Sequence, residues 1–173
     1  FRYCLRARQP PAATPAAVAR SRAAIHSSIN TQFHRKPPRR RMANYLCRGN
    51  FQSTYAGEGD YEYLAEKFLT EMDVNGFFME FDDERSGGFA PLRFLPRDKY
   101  VVIGIMTSKT PRLETKEELK RRINDAAKYI PLEQISISPQ CGFASTKEGN
   151  KLSEANQWRK LERLVEVAEE VWG

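Results

Sequence analysis

The chain has 173 residues, with 28 Lys and Arg against 22 Asp and Glu, which suits one domain, or one domain with a tail. Mean hydropathy is −0.63, and the longest apolar runs fall far short of the roughly 18 residues that cross a bilayer, so a membrane span is excluded. Three cysteines, at positions 4, 47 and 141, form no closely spaced even set of the kind that staples secreted domains, which points to a reducing compartment and a cytoplasmic protein.

Residues 1–41 carry ten of the basic side chains and no acid, among many Ala, Ser and Pro. No helical or extended period runs through them, so they read as a disordered basic tail. The acid-free, Ser- and Arg-bearing stretch 16–29 has the composition of a transit peptide, which would make the destination mitochondrial instead. The remaining residues 42–173 hold 18 bases against 22 acids, a net charge of −4. The folded part therefore has no electrostatic footprint for nucleic acid.

From Met42 the pattern changes. A short run ends at Cys47. Tyr61, Leu64, Ala65, Phe68 and Leu69 then recur at helical spacing behind Asp60, a good N-cap residue. Residues 76–81 form a compact apolar run. Residues 100–106 form a second, too short and too β-branched for a helix. The segment Thr115-Lys116-Glu117-Glu118 has capping-box spacing and opens a helix with Leu119, Ile123, Ala126, Ala127 and Ile130 on its apolar face, stopped by Pro131. Residues 134–138 read as another buried strand. A last helix begins near Ser153 and places Trp158, Leu161, Leu164, Val165, Ala168 and Trp172 on one face.

Strands apolar on both faces and separated by helices imply a parallel sheet, so the class is α/β with about four strands and three helices. A closed eight-stranded barrel takes about 250 residues, whereas residues 42–173 number 132. That length fits half a barrel or a small open sheet. In such folds reactive residues gather at the carboxyl ends of the strands. The rule selects Cys47 after the first run, Glu80 near the end of the second, and Cys141 after the fourth. Two thiols and a carboxylate suit Zn²⁺. The bland alternative is that the cysteines are small buried hydrophobes and that Glu80, Asp82, Asp83 and Glu84 form a solvated acidic loop.

Three motifs carry a resemblance at these positions: Cys47-Arg48-Gly49-Asn50, the stretch from Phe78 through Glu80 to Gly87, and Ser138-Pro139-Gln140-Cys141-Gly142-Phe143. Together they resemble the zinc-bearing C-terminal region of the cobalamin-independent methionine synthase family, above all its short single-barrel members. The likeness covers nearly all of residues 44–173. It implies the C-terminal half of a (β/α)₈ TIM barrel. It also implies a zinc site held by Cys47, Glu80 and Cys141, and methyl transfer from a methyl-tetrahydrofolate to a homocysteine-like thiol.

Two departures accompany it. The His of the family's His-x-Cys pair falls on Tyr45, whose phenol, with an ordinary pKa of about 10, would be a poor substitute ligand. A proton-donating His of the family falls close to Thr107. Arg85, beside the acidic run, could orient Glu80, bind a substrate carboxylate or form an ordinary ion pair. Lys120, Arg121 and Arg122 read as a solvated helix face.

The expected function is a zinc-dependent methyltransferase of methionine biosynthesis, as a fragment incomplete for catalysis. The alternatives are a related alkyl transfer to another thiol and a non-catalytic remnant or interaction protein. A half-barrel leaves two open sheet edges, a route to self-association.

Overall fold

The computed structural model describes residues 42–173 apart from 48–49, 52, 56–58, 141 and 145–147. The basic tail expected over 1–41 lies outside the described residues.

Four strands make one all-parallel sheet: β1 (Ala43–Leu46), β4 (Gly76–Glu80), β5 (Tyr100–Met106) and β6 (Ile135–Pro139), hydrogen-bonded in that order. The register runs Ala43 to Gly76 to Tyr100, and Val101 to Ile135. Each strand of this sheet lies beside the sheet's next strand in chain order. This singly wound order is the way a (β/α)₈ barrel is laid down, whereas an open doubly wound sheet reverses its order at a switch point. The strand expected over 100–106 is found with those bounds. The other two buried strands lie within a residue of expectation, Gln134 belonging instead to a 3₁₀ turn (Leu132–Gln134).

β5 owes its central place to its composition. From Val101 to Met106 every residue is buried, and Val101, Ile103 and Met106 are fully so, together with Phe77 and Ile135 on the flanking strands. Each such side chain contributes about 1.5–3 kcal/mol by leaving water. Gly104 is required where β5 meets β6. A Cβ there would stand 3.1 Å from the Gln140 Cα and 3.3 Å from the Pro139 carbonyl oxygen, at a register irregularity between Gly104 and Met106.

Helix α1 (Glu62–Glu71) crosses from β1 to β4 and buries Ala65 and Leu69. Its N-cap is Tyr61 rather than Asp60, although the Asp60 carboxylate still accepts from the Glu62 N–H at 3.1 Å. Leu64, expected on the apolar face, is 63% exposed beside Tyr63, because Ala65, Phe68, Leu69 and Met72 already fill the stripe toward the sheet. The helix ends without glycine. Lys99, buried just before β5, instead donates to the carbonyl oxygens of Leu69 at 2.9 Å and Met72 at 2.7 Å, a cationic cap matched to the helix dipole.

No α-helix joins β4 to β5. Gly87, Gly88, Pro91 and Pro96 break the connection into two 3₁₀ turns (Glu84–Ser86 and Ala90–Phe94). A short antiparallel hairpin, β2 (Asn50–Phe51) and β3 (Thr54–Tyr55), follows β1 and was not signalled by any alternation. Ser53 at its tip takes φ 67.

Helix α2 (Lys116–Ala127) begins with the expected capping box: Thr115 accepts from the Glu118 N–H at 3.1 Å, and Glu118 from the Thr115 N–H at 2.8 Å. Helix α3 (Glu154–Trp172) is capped by Ser153 as expected, but its buried stripe is Lys160, Leu164 and Val167. Trp158, Leu161, Val165, Ala168 and Trp172 are only half-buried. The stripe is displaced because a charged residue occupies an inward position: Lys160 is fully buried and its ammonium reaches Glu114 at 2.8 Å.

Among the described residues no helix is long and apolar enough to cross a membrane.

Candidate functional site

The carboxyl ends of all four parallel strands carry polar residues, and these join into one chain of hydrogen bonds. Glu80, the last residue of β4, is 1% exposed. Its Oε1 lies 3.4 Å from the Tyr45 hydroxyl of β1, and its Oε2 accepts from the Gln140 side-chain amide at 3.3 Å. The same Tyr45 hydroxyl lies 3.1 Å from the Gln140 carbonyl oxygen. The Gln140 side-chain oxygen accepts from the Lys109 ammonium, which also reaches Asp82 at 3.2 Å. Strand order dictates this convergence. Tyr45 stands opposite Phe78, two residues before Glu80, and Gln140 is fixed past β6 by its N–H to the Met106 carbonyl at 2.9 Å. The Glu80 N–H in turn donates to the Tyr61 hydroxyl at 3.0 Å, so the start of α1 also steadies the strand end.

An acidic, solvated loop is therefore the wrong description of residues 80–84. Glu80 is buried and the Asp82 side chain is sealed against Lys109, while Glu84 alone is exposed. Arg122 departs from expectation too. It is half-buried, donates to the Phe81 carbonyl oxygen and stands 5.5 Å over the Phe89 ring. Burial pushes its guanidinium below the usual arginine range. Lys120 and Arg121 remain on the surface side, Lys120 pairing with Glu170.

Beside this network opens a cleft of about 370 Å³ lined by Asp82, Thr107, Lys109, Arg112 and Glu114, among others. Its floor is held by Glu114, whose Oε1 accepts from the Thr107 N–H at 2.9 Å and whose Oε2 accepts from Lys160. The Thr107 hydroxyl accepts from the Lys109 N–H at 3.3 Å.

Of the residues selected from the sequence, Glu80 and Tyr45 are brought together. Cys47 is an exposed thiol outside any disulfide, one residue beyond β1. Cys141 and the Arg85 side chain lie outside the described residues. Among the described residues no group of three His, Cys, Asp or Glu could hold a metal ion. The donor types named at these strand ends, sulfur and carboxylate oxygen, fit a borderline-soft divalent ion in tetrahedral coordination. Gln140, Lys109 and Asp82 were not singled out as site residues, although all three follow strand ends and the rule that chose Glu80 applies to them equally.

Residues 54–170 match the family model for the catalytic domain of the cobalamin-independent synthase. The chain belongs to the cobalamin-independent methionine synthase family. It is 49% identical over 146 residues to the uncharacterized protein YxjG of Bacillus subtilis, covering 84% of this chain and 39% of that protein. Against a methionine synthase of Pyrococcus horikoshii it is 29% identical over 110 residues, 62% of this chain and 30% of the relative. The solved structure of a putative vitamin-B12 independent methionine synthase from Listeria monocytogenes superposes with a TM-score of 0.59 at 30% identity, over 80% of this chain and 37% of that one. A B12-independent methionine synthase from Shewanella, solved with selenomethionine, shares the fold with a TM-score of 0.61 at 18% identity, over 87% and 45%. This member of the family thus presents four parallel strands and three helices of its barrel, and spans about two fifths of the length of the Bacillus relatives.

Proposed function

We propose that this chain carries the zinc-holding part of a methyltransferase that acts on a homocysteine-like thiol with a methyl-tetrahydrofolate donor. The observation that carries the reading is Glu80: a carboxylate buried at a strand end, held from two sides by Tyr45 and Gln140, in a chain whose residues 54–170 match the catalytic domain. Cys47, Glu80 and Cys141 would hold the ion. When bound, zinc would favour loss of the proton from the substrate thiol, and only the thiolate is nucleophilic. Tyr45 and the Gln140 amide keep the Glu80 carboxylate in one orientation. Tyr45 stands where the family pattern has His, and its hydroxyl either completes the ligand set or serves Glu80 alone. Arg85 is the proposed partner of a substrate carboxylate.

The four parallel strands of the described residues supply half of a barrel, so the remaining substrate contacts would come from strands outside them. The isolated 173-residue chain is then expected to be inactive in methyl transfer, and its open edges at β1 and β6 would favour self-association. A second reading, a non-catalytic remnant, is favoured by Tyr45 in place of the His ligand.

Metal analysis of the purified chain separates the two. About one zinc per chain, lost in both Cys47→Ser and Cys141→Ser, supports the site; a wild type that takes up no zinc supports the remnant.

A further inference from the structure

We infer that Lys109 is a positioning residue of this site, which acts through Gln140 to fix the orientation of the Glu80 carboxylate. The inference deepens the zinc reading and rests on it only for the affinity arm of its test. A primary carboxamide presents oxygen on one side and NH₂ on the other, and either way round fills the same space. Here both neighbours dictate the choice. The Lys109 ammonium is a donor without acceptor capacity, so the Gln140 oxygen must face it. An ionised Glu80 is an acceptor without donor capacity, so the Gln140 NH₂ must face Glu80, as found at 3.3 Å. The amide thereby converts a buried cation into a directed hydrogen bond on the carboxylate.

The arrangement is built rather than incidental. Lys109 is 9% exposed, Gln140 3% and Glu80 1%. The Asp82 side chain is fully buried and supplies the counter-charge at 3.2 Å, so the ammonium is held by a second group while it addresses Gln140. A buried lysine kept in this way is costly to desolvate, and a surface loop would gain nothing from it. Gln140 also precedes Cys141 directly, and its carbonyl oxygen lies 3.1 Å from the Tyr45 hydroxyl. Replacing Lys109 by a residue of similar length without donors removes the anchor on the Gln140 oxygen, so the amide is held from the Glu80 side alone and is no longer fixed in one orientation.

The test uses the full chain and two readouts. In the metal-free wild type, the Gln140 side-chain NH₂ protons should exchange slowly with solvent by NMR, and in Lys109→Met that protection should be lost. With zinc, Lys109→Met should bind the ion about 10–100-fold more weakly, the usual range for a residue that orients a metal ligand. Gln140→Met should weaken it similarly, and the double variant no further, because the lysine acts through the amide. Fast exchange of the wild-type Gln140 amide, unchanged protection in Lys109→Met, or additive losses in the double variant would each overturn the inference. If the wild type takes up no zinc, the functional reading fails, while the exchange measurement still decides whether Lys109 orients Gln140.

Discussion

Lys160 and Glu114 form an ion pair in the interior, 2.8 Å apart, with side-chain exposures of 1% and 9%. The pair ties α3 to the segment that follows β5, because the other Glu114 oxygen accepts from the Thr107 N–H and the Glu114 carbonyl accepts from Arg163 at 2.7 Å. The cleft wall beside the candidate site thus depends on a charge contributed by the last helix.

Breaking this pair from one side should be severe. Lys160→Ala leaves a buried carboxylate uncompensated and should cost about 3–5 kcal/mol in urea unfolding. The double variant Lys160→Met with Glu114→Gln, which removes both charges at similar volume, should recover part of that loss. A cost under about 1 kcal/mol for Lys160→Ala would mean that the lysine is not buried as described.

Gly104→Ala tests how closely β5 and β6 approach. The new Cβ would stand 3.1 Å from the Gln140 Cα, with backbone rather than a flexible side chain in the way. Overpacking of this kind should cost about 1–3 kcal/mol, and it should displace Gln140 and so weaken zinc binding beyond what the loss of stability explains. Thermal unfolding and metal titration of the same variant check both parts.

A pH dependence follows from the seam between α2 and α3. Hydrogen bonds from Lys116 and Lys120 hold the Glu170 carboxyl below its ordinary 4.5, down to about 2. Because the folded value is the lower one, the contribution is complete above about pH 4.5 and is lost as the pH falls through about 2. The groups are exposed and screened by salt. The stability difference between wild type and Glu170→Gln should therefore be measurable near neutral pH, shrink in high salt and vanish in strong acid. A difference that grows on acidification would contradict the assignment.

Much of the fold was legible because hydrophobic period and capping chemistry are local. The bounds of β5, the Thr115 capping box and the Ser153 cap all follow from residues within a few positions of one another. Three features were not legible in this way. The stripe of α3 was displaced because Lys160, polar by type, is neutralised by a residue 46 positions away. Spacing alone places Leu64 inward, yet it is 63% exposed because the stripe is already full. The hairpin β2–β3 has two residues per strand, too few to show alternation. At the site, Glu80 was found from strand-end placement, whereas the link from Asp82 through Lys109 to Gln140 exists only because β4, β5 and β6 are neighbours.

Tyr45→His would restore the residue type of the family pattern two positions before Cys47. Imidazole is a far better zinc ligand than a neutral phenol, so the variant should bind zinc more tightly than the wild type in a chelator competition. Tyr45→Phe, which keeps the ring against Phe78 but removes the hydroxyl, should not. Equal affinity of Tyr45→His and wild type would indicate that Tyr45 does not face the ion.

The most direct check on the whole account is X-ray absorption at the zinc edge of the metal-loaded chain. Two sulfur neighbours at about 2.3 Å and light-atom neighbours at about 2.0–2.2 Å are expected, with one sulfur lost in Cys47→Ser and one in Cys141→Ser. A shell of nitrogen and oxygen alone would contradict the proposed centre.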